Sequence, residues 1–440
     1  MSDWQKGLLG DLAKGHRGVT YAAGQLCEFK TSATVTLLRS NNINQGRVNF
    51  DDVQVVPSTL VSDEQILNPG DIAVCMSNGS KALVGKAAPF LDVTCERFTV
   101  GAFCSVFRPT EGTNTRFASY AFQSRQYRKN LELALAGTAI NNLRNADVEN
   151  FPCNIPPLDE QARIAAILDT LDTAIRETEA IIAKLQLIKQ GLLRDLLTCG
   201  IDENGELRPS HSEAPHLYKE SPLGWIPLEW GVRQVSDLLA DVEPAMRSGP
   251  FGSALLKEEL VEVGIPLLGI DNVHVEHFSA DYQRFVTPKK FAELSRYSVR
   301  PNDLMITIMG TVGRCCLVPE DIGQALSSKH TWTVSLDQEL YSPYLAMLQV
   351  NYSPWVVEHF AKDQQGGTMA AIRSETLRSV SLPVPLRDEQ VEMEKRMREI
   401  SRRIELEIEA AAKMKLLKES VMEDLLTCRV RVATGLTLEK

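Results

Sequence analysis

Two stretches of this chain repeat one another at a constant offset of 229 residues. Asp159-Glu160-Gln161 returns as Asp388-Glu389-Gln390, and Asp195-Leu196-Leu197-Thr198-Cys199 returns as Asp424-Leu425-Leu426-Thr427-Cys428. The offset does not drift across the roughly 40 residues between these markers, so the segment keeps its length to the residue. A repeated segment of fixed length is a rigid element whose geometry matters, and it sets the architecture before anything else.

Periodicity identifies the element. In the first copy Ile164, Leu168, Leu171, Ile175, Thr178, Ile182, Leu185, Ile188, Leu192 and Leu196 are spaced by threes and fours. The same register in the second copy gives Met393, Met397, Ile400, Ile404, Glu407, Ala411, Met414, Leu417, Val421 and Leu425. Only the Thr178/Glu407 position breaks the apolar stripe, and it does so in both copies. This spacing predicts two amphipathic helices near the heptad pattern, each the natural partner of the other. Pro-rich strings (Pro156-Pro157-Leu158 and Pro383-Val384-Pro385-Leu386) precede them, which makes Asp159 and Asp388 the expected N-caps. Asp159, Glu160, Asp388 and Glu389 also suit the positive end of a helix dipole. Each helix is expected to run about 39 residues, roughly 58 Å at 1.5 Å per residue.

A chain of 440 residues expects two to four domains, and its 44% hydrophobic content is ordinary for a globular protein. It has no run of 18 apolar residues, and Met1-Ser2-Asp3-Trp4 lacks a signal peptide's plan, which points to a cytoplasmic, non-membrane protein. Nine cysteines without any C-x-x-C pair point to reduced thiols and no metal site. The acidic charge is uneven. Residues 201–380 carry 15 Lys/Arg against 24 Asp/Glu, while residues 1–150 carry 15 against 14. A solitary nucleic-acid binder would show a basic footprint, so any DNA contact here needs local patches and partner subunits.

The organisation is a block, a long helix, a second block and a second long helix. The first block is strand-like at Val35–Leu38, Asp71–Met76 and Gly101–Phe107, and the second at Ile265–Leu268, Asp303–Ile308 and Thr331–Val334. The blocks are distant cousins: Pro69-Gly70-Asp71-Ile72 parallels Pro301-Asn302-Asp303-Leu304, and Asn41-Asn42-Ile43 parallels Asp271-Asn272-Val273. Gly137-Thr138 likewise parallels Gly367-Thr368. The expected divisions are a first block over 1–155, a helix over 156–199, a polar linker over 200–230, a second block over 231–384, a helix over 385–428 and a tail over 429–440. The fold class is α+β, a pseudo-two-fold repeat of two globular domains separated by two long antiparallel helices forming a coiled-coil spacer.

Catalytic motifs are missing. The stretch Gly79–Ala87 has five residues between its glycines and an Ala where a phosphate loop needs Ser or Thr. Asp11 followed by Glu28-Phe29-Lys30 imitates a metal-nuclease spacing that arises by chance in most chains of this size. There is no G-x-G-x-x-G and no H-E-x-x-H, so the chain reads as non-catalytic with no cofactor or metal of its own. Polar clusters after the strands make better sense as base and phosphate contacts. In the first block these are Arg39, Asn41, Asn42, Ser77, Asn78, Ser80, Lys81, Lys86, Asn141 and Asn142. In the second they are Ser253, Asn272, Thr311, Arg314, Lys329, His330, Gln364, Gln365 and Thr368. Taken singly, each is also an ordinary turn residue.

With these features assembled, the chain resembles the specificity (S) subunits of type I restriction–modification systems over essentially its whole length. The matching residues are Pro156-Pro157-Leu158-Asp159-Glu160-Gln161, its second version Val384–Gln390, the helix tails Gln190–Leu193 and Lys418–Val421, the Gly224-Trp225-Ile226-Pro227 linker with Trp230, and Gly249–Ser253. The resemblance implies a DNA-reading subunit with two target-recognition domains, each reading half of a split, asymmetric site in double-stranded DNA. It implies that the paired helices set the unread spacing and dock two modification (methyltransferase) subunits that carry S-adenosylmethionine. Restriction (translocase/nuclease) subunits, which use ATP and Mg, would complete the complex. Two alternatives stay open: a coiled-coil scaffold whose domains bind other ligands, and a standalone DNA-modifying enzyme.

Overall fold

The computed structural model describes residues 4–91, 96–136, 141–364 and 371–432. The Gly137-Thr138 turn, Gln365 and the Gly367-Thr368 turn lie outside these residues. The chain forms two compact units, one of residues 1–181 with 407–440 and the other of residues 182–406. Each unit therefore contains half of each long helix.

In the first unit a four-stranded antiparallel sheet runs in the order Ala13–Arg17, Cys104–Pro109, Ile72–Cys75, Ala87–Pro89. A second sheet has Thr34–Leu38 between Gln54–Pro57 and Phe98–Val100, parallel to the latter. The central strand shows why Ile-Ala-Val-Cys folds as it does. Ile72 and Val74 enter one core with Phe107, Phe117 and Tyr120, while Ala73 and Cys75 enter another with Phe90, Phe98 and Val100. A strand covered on both faces has no use for polar residues, so it reads as a continuous apolar run.

The second unit repeats the plan. Its four-stranded sheet runs Met246–Ser248, Thr331–Val334, Leu304–Thr307, Cys315–Leu317, and its three-stranded sheet runs Phe285–Val286, Ile265–Leu268, Leu326–Ser327. Leu304 and Ile306 face one core and Met305 another. Each central strand is introduced by a buried aspartate after a left-handed residue, Gly70 (φ +96°) before Asp71 and Asn302 (φ +63°) before Asp303. The cation partner has moved between strands. Arg108 of Cys104–Pro109 holds Asp71 at 2.8 Å, whereas Arg247 of Met246–Ser248 holds Asp303. A buried carboxylate requires a paired charge but does not dictate which neighbouring strand supplies it.

The long helices are Leu158–Thr198, 41 residues, and Arg387–Leu426, 40 residues. Both start two residues earlier than the N-cap reading expects, so Asp159 and Asp388 lie inside the first turn. There they still face the positive end of the dipole, and Asp159 pairs with Arg163 at 3.0 Å. The helices pack antiparallel. Ile164 and Leu168 share a core with Met422 and Leu425 in the first unit, and Leu193, Leu196 and Leu197 share one with Met393 and Met397 in the second.

Along the apolar stripe Ile164, Leu168, Ile175, Leu196, Met393, Met397, Ile404, Ala411 and Leu425 are buried. Leu171, Ile182, Leu185, Leu192, Ile400, Met414 and Val421 are half-buried. Leu417 and Ile188 depart from the expected seam, being 52% and 47% exposed. At the former, Lys418 turns inward instead, to Asp172 at 2.6 Å and to the Tyr120 ring. No helix among the described residues is long and apolar enough to cross a membrane.

The repeated Glu-Gln pair ties each helix to its globular domain. Glu160 accepts hydrogen bonds from the Trp4 indole at 3.0 Å and from Arg431 at 2.9 Å. Glu389 accepts from the Trp230 indole at 2.9 Å, from the Ile201 amide at 2.8 Å and from Arg208. Gln161 accepts from the Asn114 amide at 2.9 Å and donates to the Pro156 carbonyl at 2.9 Å. Gln390 does the same with Ser342 at 2.8 Å and Pro385 at 2.9 Å. Asn114 and Ser342 are in turn side-chain N-caps of the helices Thr115–Ala121 and Pro343–Tyr352. The stretch expected to be a surface linker is itself folded, with a Tyr218–Ser221/Gly224–Pro227 hairpin and His211 stacked on Trp225 at 4.2 Å.

Candidate nucleic-acid interface

In the first unit the loops that follow Thr34–Leu38 and Ile72–Cys75 meet at one edge, joined by the turn between Phe98–Val100 and Cys104–Pro109. Asn78 donates to the Ser40 hydroxyl at 3.4 Å, Asn141 to the Gly79 carbonyl at 3.1 Å, and Lys86 to Asn44 at 3.2 Å. Ser77 bridges to Asn142, and the Met76 and Ser77 amides both donate to the Phe103 carbonyl. The structure thus gathers Ser77, Asn78, Ser80, Lys86, Asn141 and Asn142 on one edge. Lys81 is exposed beside Ser80. Arg39 and Asn41 are both steered by Asp52, at 2.7 and 3.3 Å.

Asn42 does something else. It is fully buried; its side-chain oxygen accepts from the Arg39 amide at 2.8 Å and its Nδ2 donates to the Asp51 carbonyl at 2.6 Å. Asn272 is its counterpart, accepting from the Gly269 amide at 2.9 Å and donating to Ser279 and Asp281 carbonyls. Both amides are used up inside the protein, so these two candidate readers are braces that shape the loop on which others stand.

The second unit has the same edge with different side chains. The loop over Met309–Arg314 needs left-handed glycines at Gly310 (φ +73°) and Gly313 (φ +87°), and Thr307 hydrogen bonds to the Thr311 carbonyl within it. The Arg314 amide donates to Thr307 Oγ1 at 3.1 Å. The Ile308 amide donates to the His330 carbonyl at 3.1 Å, which sets the Lys329-His330 turn beside this loop. Arg284 joins them, paired with Asp271. Burial first, then the neighbouring Lys329 and Arg284 charges, hold the His330 pKa below its ordinary 6.5. The ring is therefore neutral at neutral pH, able both to donate and to accept a hydrogen bond. Ser253 is exposed in the short turn Gly252–Ala254, and Gln364 ends the helix Pro354–Gln364. Gln365 and Thr368 lie outside the described residues.

Phe103, Ser40, Asn44 and Arg284 belong to these edges although the sequence did not single them out. Phe103 sat in a run that reads as strand. Nothing marks Arg284 beyond its charge. Two residues of the imitated nuclease spacing have structural partners: Asp11 accepts from the Leu8 amide at 2.8 Å, and Lys30 pairs with Glu96 at 2.7 Å. Among the described residues no His, Cys, Asp and Glu group is placed to hold a metal ion.

Residues 1–187 match the type I restriction modification DNA specificity domain. The EcoKI specificity subunit of Escherichia coli K12 is 31% identical over 299 residues, which is 66% of this chain and 58% of that protein. The StySPI specificity subunit of Salmonella potsdam is 33% identical over 199 residues, 44% of this chain and 42% of that one. Over these stretches the chain is similar to the specificity subunits of type I restriction enzymes. It spans 58% and 42% of the lengths of these two curated relatives. The S subunit of M. genitalium shares the fold, with a TM-score of 0.55 at 16% identity over 96% of both chains. A second solved chain, from a study of type I R-M complex assembly and conformational transition, has a TM-score of 0.55 at 15% identity over 97% of this chain and 98% of that one.

Proposed function

We propose that this chain is a specificity subunit of a type I restriction–modification system, reading a bipartite, asymmetric DNA target, one half with each loop edge, without catalysing any reaction itself. The observation that carries the reading is that one strand frame, with the same internal braces Asn42 and Asn272, presents two different sets of polar side chains. A constant frame with changed surface residues suits two readers of different sequences, with Arg, Asn and Gln for base edges and Ser, Lys and turn amides for phosphates. The two long helices act as the ruler between half-sites.

The partners in this reading are double-stranded DNA, two modification subunits bringing S-adenosylmethionine, and restriction subunits bringing ATP and Mg, in the cytoplasm where that DNA lies. Two features support dependence on partners. The net charge of -10 cannot clamp phosphates unaided. Leu187 and Leu416 on the long helices are 69% and 67% exposed, apolar surface of the kind that marks an interface.

The test is the methylated-adenine motif across the source genome, read with and without this gene. A split motif that disappears on deletion is the expected result. An unchanged methylome would refute the reading, and methyl transfer by the purified chain alone would favour a standalone enzyme. Inserting four residues near Lys184 should alter the half-site spacing and leave both half-sites intact.

A further inference from the structure

Phe103 stands at the tip of the turn between Phe98–Val100 and Cys104–Pro109, and it is 69% exposed. The backbone beneath it is pinned on three sides. The Gly101 amide donates to Leu38 at 2.9 Å, the Cys104 amide to Gly101 at 2.8 Å, and the Phe103 carbonyl accepts from Met76 at 2.8 Å and Ser77 at 3.1 Å. The ring's attachment point is thereby fixed between the loop that carries Ser40, Asn41 and Asn44 and the loop that carries Ser77, Asn78 and Ser80.

The second unit repeats three of these four backbone bonds under a different side chain. The Ser328 amide donates to Leu268 at 2.8 Å, the Thr331 amide to Ser328 at 3.2 Å, and the His330 carbonyl accepts from Ile308 at 3.1 Å. His330 therefore occupies the place of Phe103. Where the frame is kept and the tip residue changes from a wholly apolar ring to a hydrogen-bonding one, the tip itself carries the distinction between the two edges.

Chemistry narrows what an apolar tip among polar loops can meet on a duplex. The groups that base pairs offer in the major groove are hydrogen-bond donors and acceptors, apart from the thymine C5-methyl. We propose that Phe103 is a specificity-determining residue of the first half-site, meeting the methyl group of one thymine. His330 fills the corresponding place in the second half-site with a hydrogen bond. The inference rests on the DNA-reading function proposed above.

The experiment uses the full chain co-purified with its modification subunit, bound to duplexes carrying its own motif. Each thymine of the half-site read by the first unit is replaced in turn by uracil, which lacks the methyl group. Wild type should lose binding about threefold to fivefold at one thymine, the worth of one buried methyl group. Phe103→Ala should bind more weakly overall and lose nothing further at that position. Phe103→Leu should keep part of the discrimination, and the other half-site should be unaffected in every case. A flat uracil scan on a wild-type complex that still reads a split motif overturns the role of Phe103 alone, as does an equal loss in Phe103→Ala. A wild-type complex that reads no split motif overturns the DNA-reading function itself.

Discussion

The indole Nε1 of Trp230 donates a 2.9 Å hydrogen bond to Glu389, 159 residues further along the chain. Around the same carboxylate lie the Ile201 amide and the Arg208 guanidinium, and Gly200 (φ +69°) approaches so closely that a Cβ there would strike both Glu389 and Trp230. Trp4, Glu160 and Arg431 form the corresponding latch in the first unit. The repeated acid is thus the point at which each long helix grips the domain that precedes it.

Removing one member of a buried charged pair strands the other, which costs about 3 kcal/mol or more. Glu389→Ala should therefore lower the stability of its unit by about 3 kcal/mol, with Glu389→Gln in between because it can still accept from the indole. Glu160→Ala should cost less, since the Arg431 side chain is 41% exposed against 9% for Arg208. Urea midpoints of the full chain decide the order; equal and negligible effects would contradict the latch.

Substitutions along the helices should separate by burial. Leu168 and Met397 are completely buried, so Leu168→Asp or Met397→Asp places an unpaired charge in a core and should cost several kcal/mol, about 3 or more. Leu417→Asp, on a residue 52% exposed, should stay within about 0.5 kcal/mol. Thermal unfolding of the three variants side by side checks the ranking.

Glu179 gives the first unit an acid-sensitive clip. Burial opposes its ionised form, but Lys415 at 2.8 Å and Arg47 at 2.7 Å outweigh it and hold its pKa below the ordinary 4.5. A carboxylate depressed in the folded state adds stability that is full above its unfolded value and fades as pH falls through the lowered one. The stability difference between wild type and Glu179→Gln should thus be present at neutral pH, vanish in acid and shrink in high salt. Urea titrations across pH test this; a difference that grew on acidification would contradict it.

The repeat, the helix register and the strand runs were legible because each is a periodic constraint on burial, as the split of Ile72 and Val74 from Ala73 and Cys75 illustrates. The candidate site was legible only as a neighbourhood. An asparagine after a strand has the same spelling whether it faces solvent, as Asn41 does, or braces a loop from inside, as Asn42 does. Phe103 was hidden because it is the turn residue immediately before a buried strand. Arg108 and Arg247 serve equivalent aspartates from different strands, a contact over 37 residues in one unit and 56 in the other that no local pattern encodes.

The central claim is that two independent readers share one chain. Its most direct test replaces residues 5–155, keeping Trp4 and the helix from Leu158 onward, with the equivalent block of a type I specificity subunit, and maps the methylated motif of the reconstituted complex. The account predicts one half-site exchanged, with the other half-site and the spacing unchanged. A motif altered in both halves, or in neither, would contradict it.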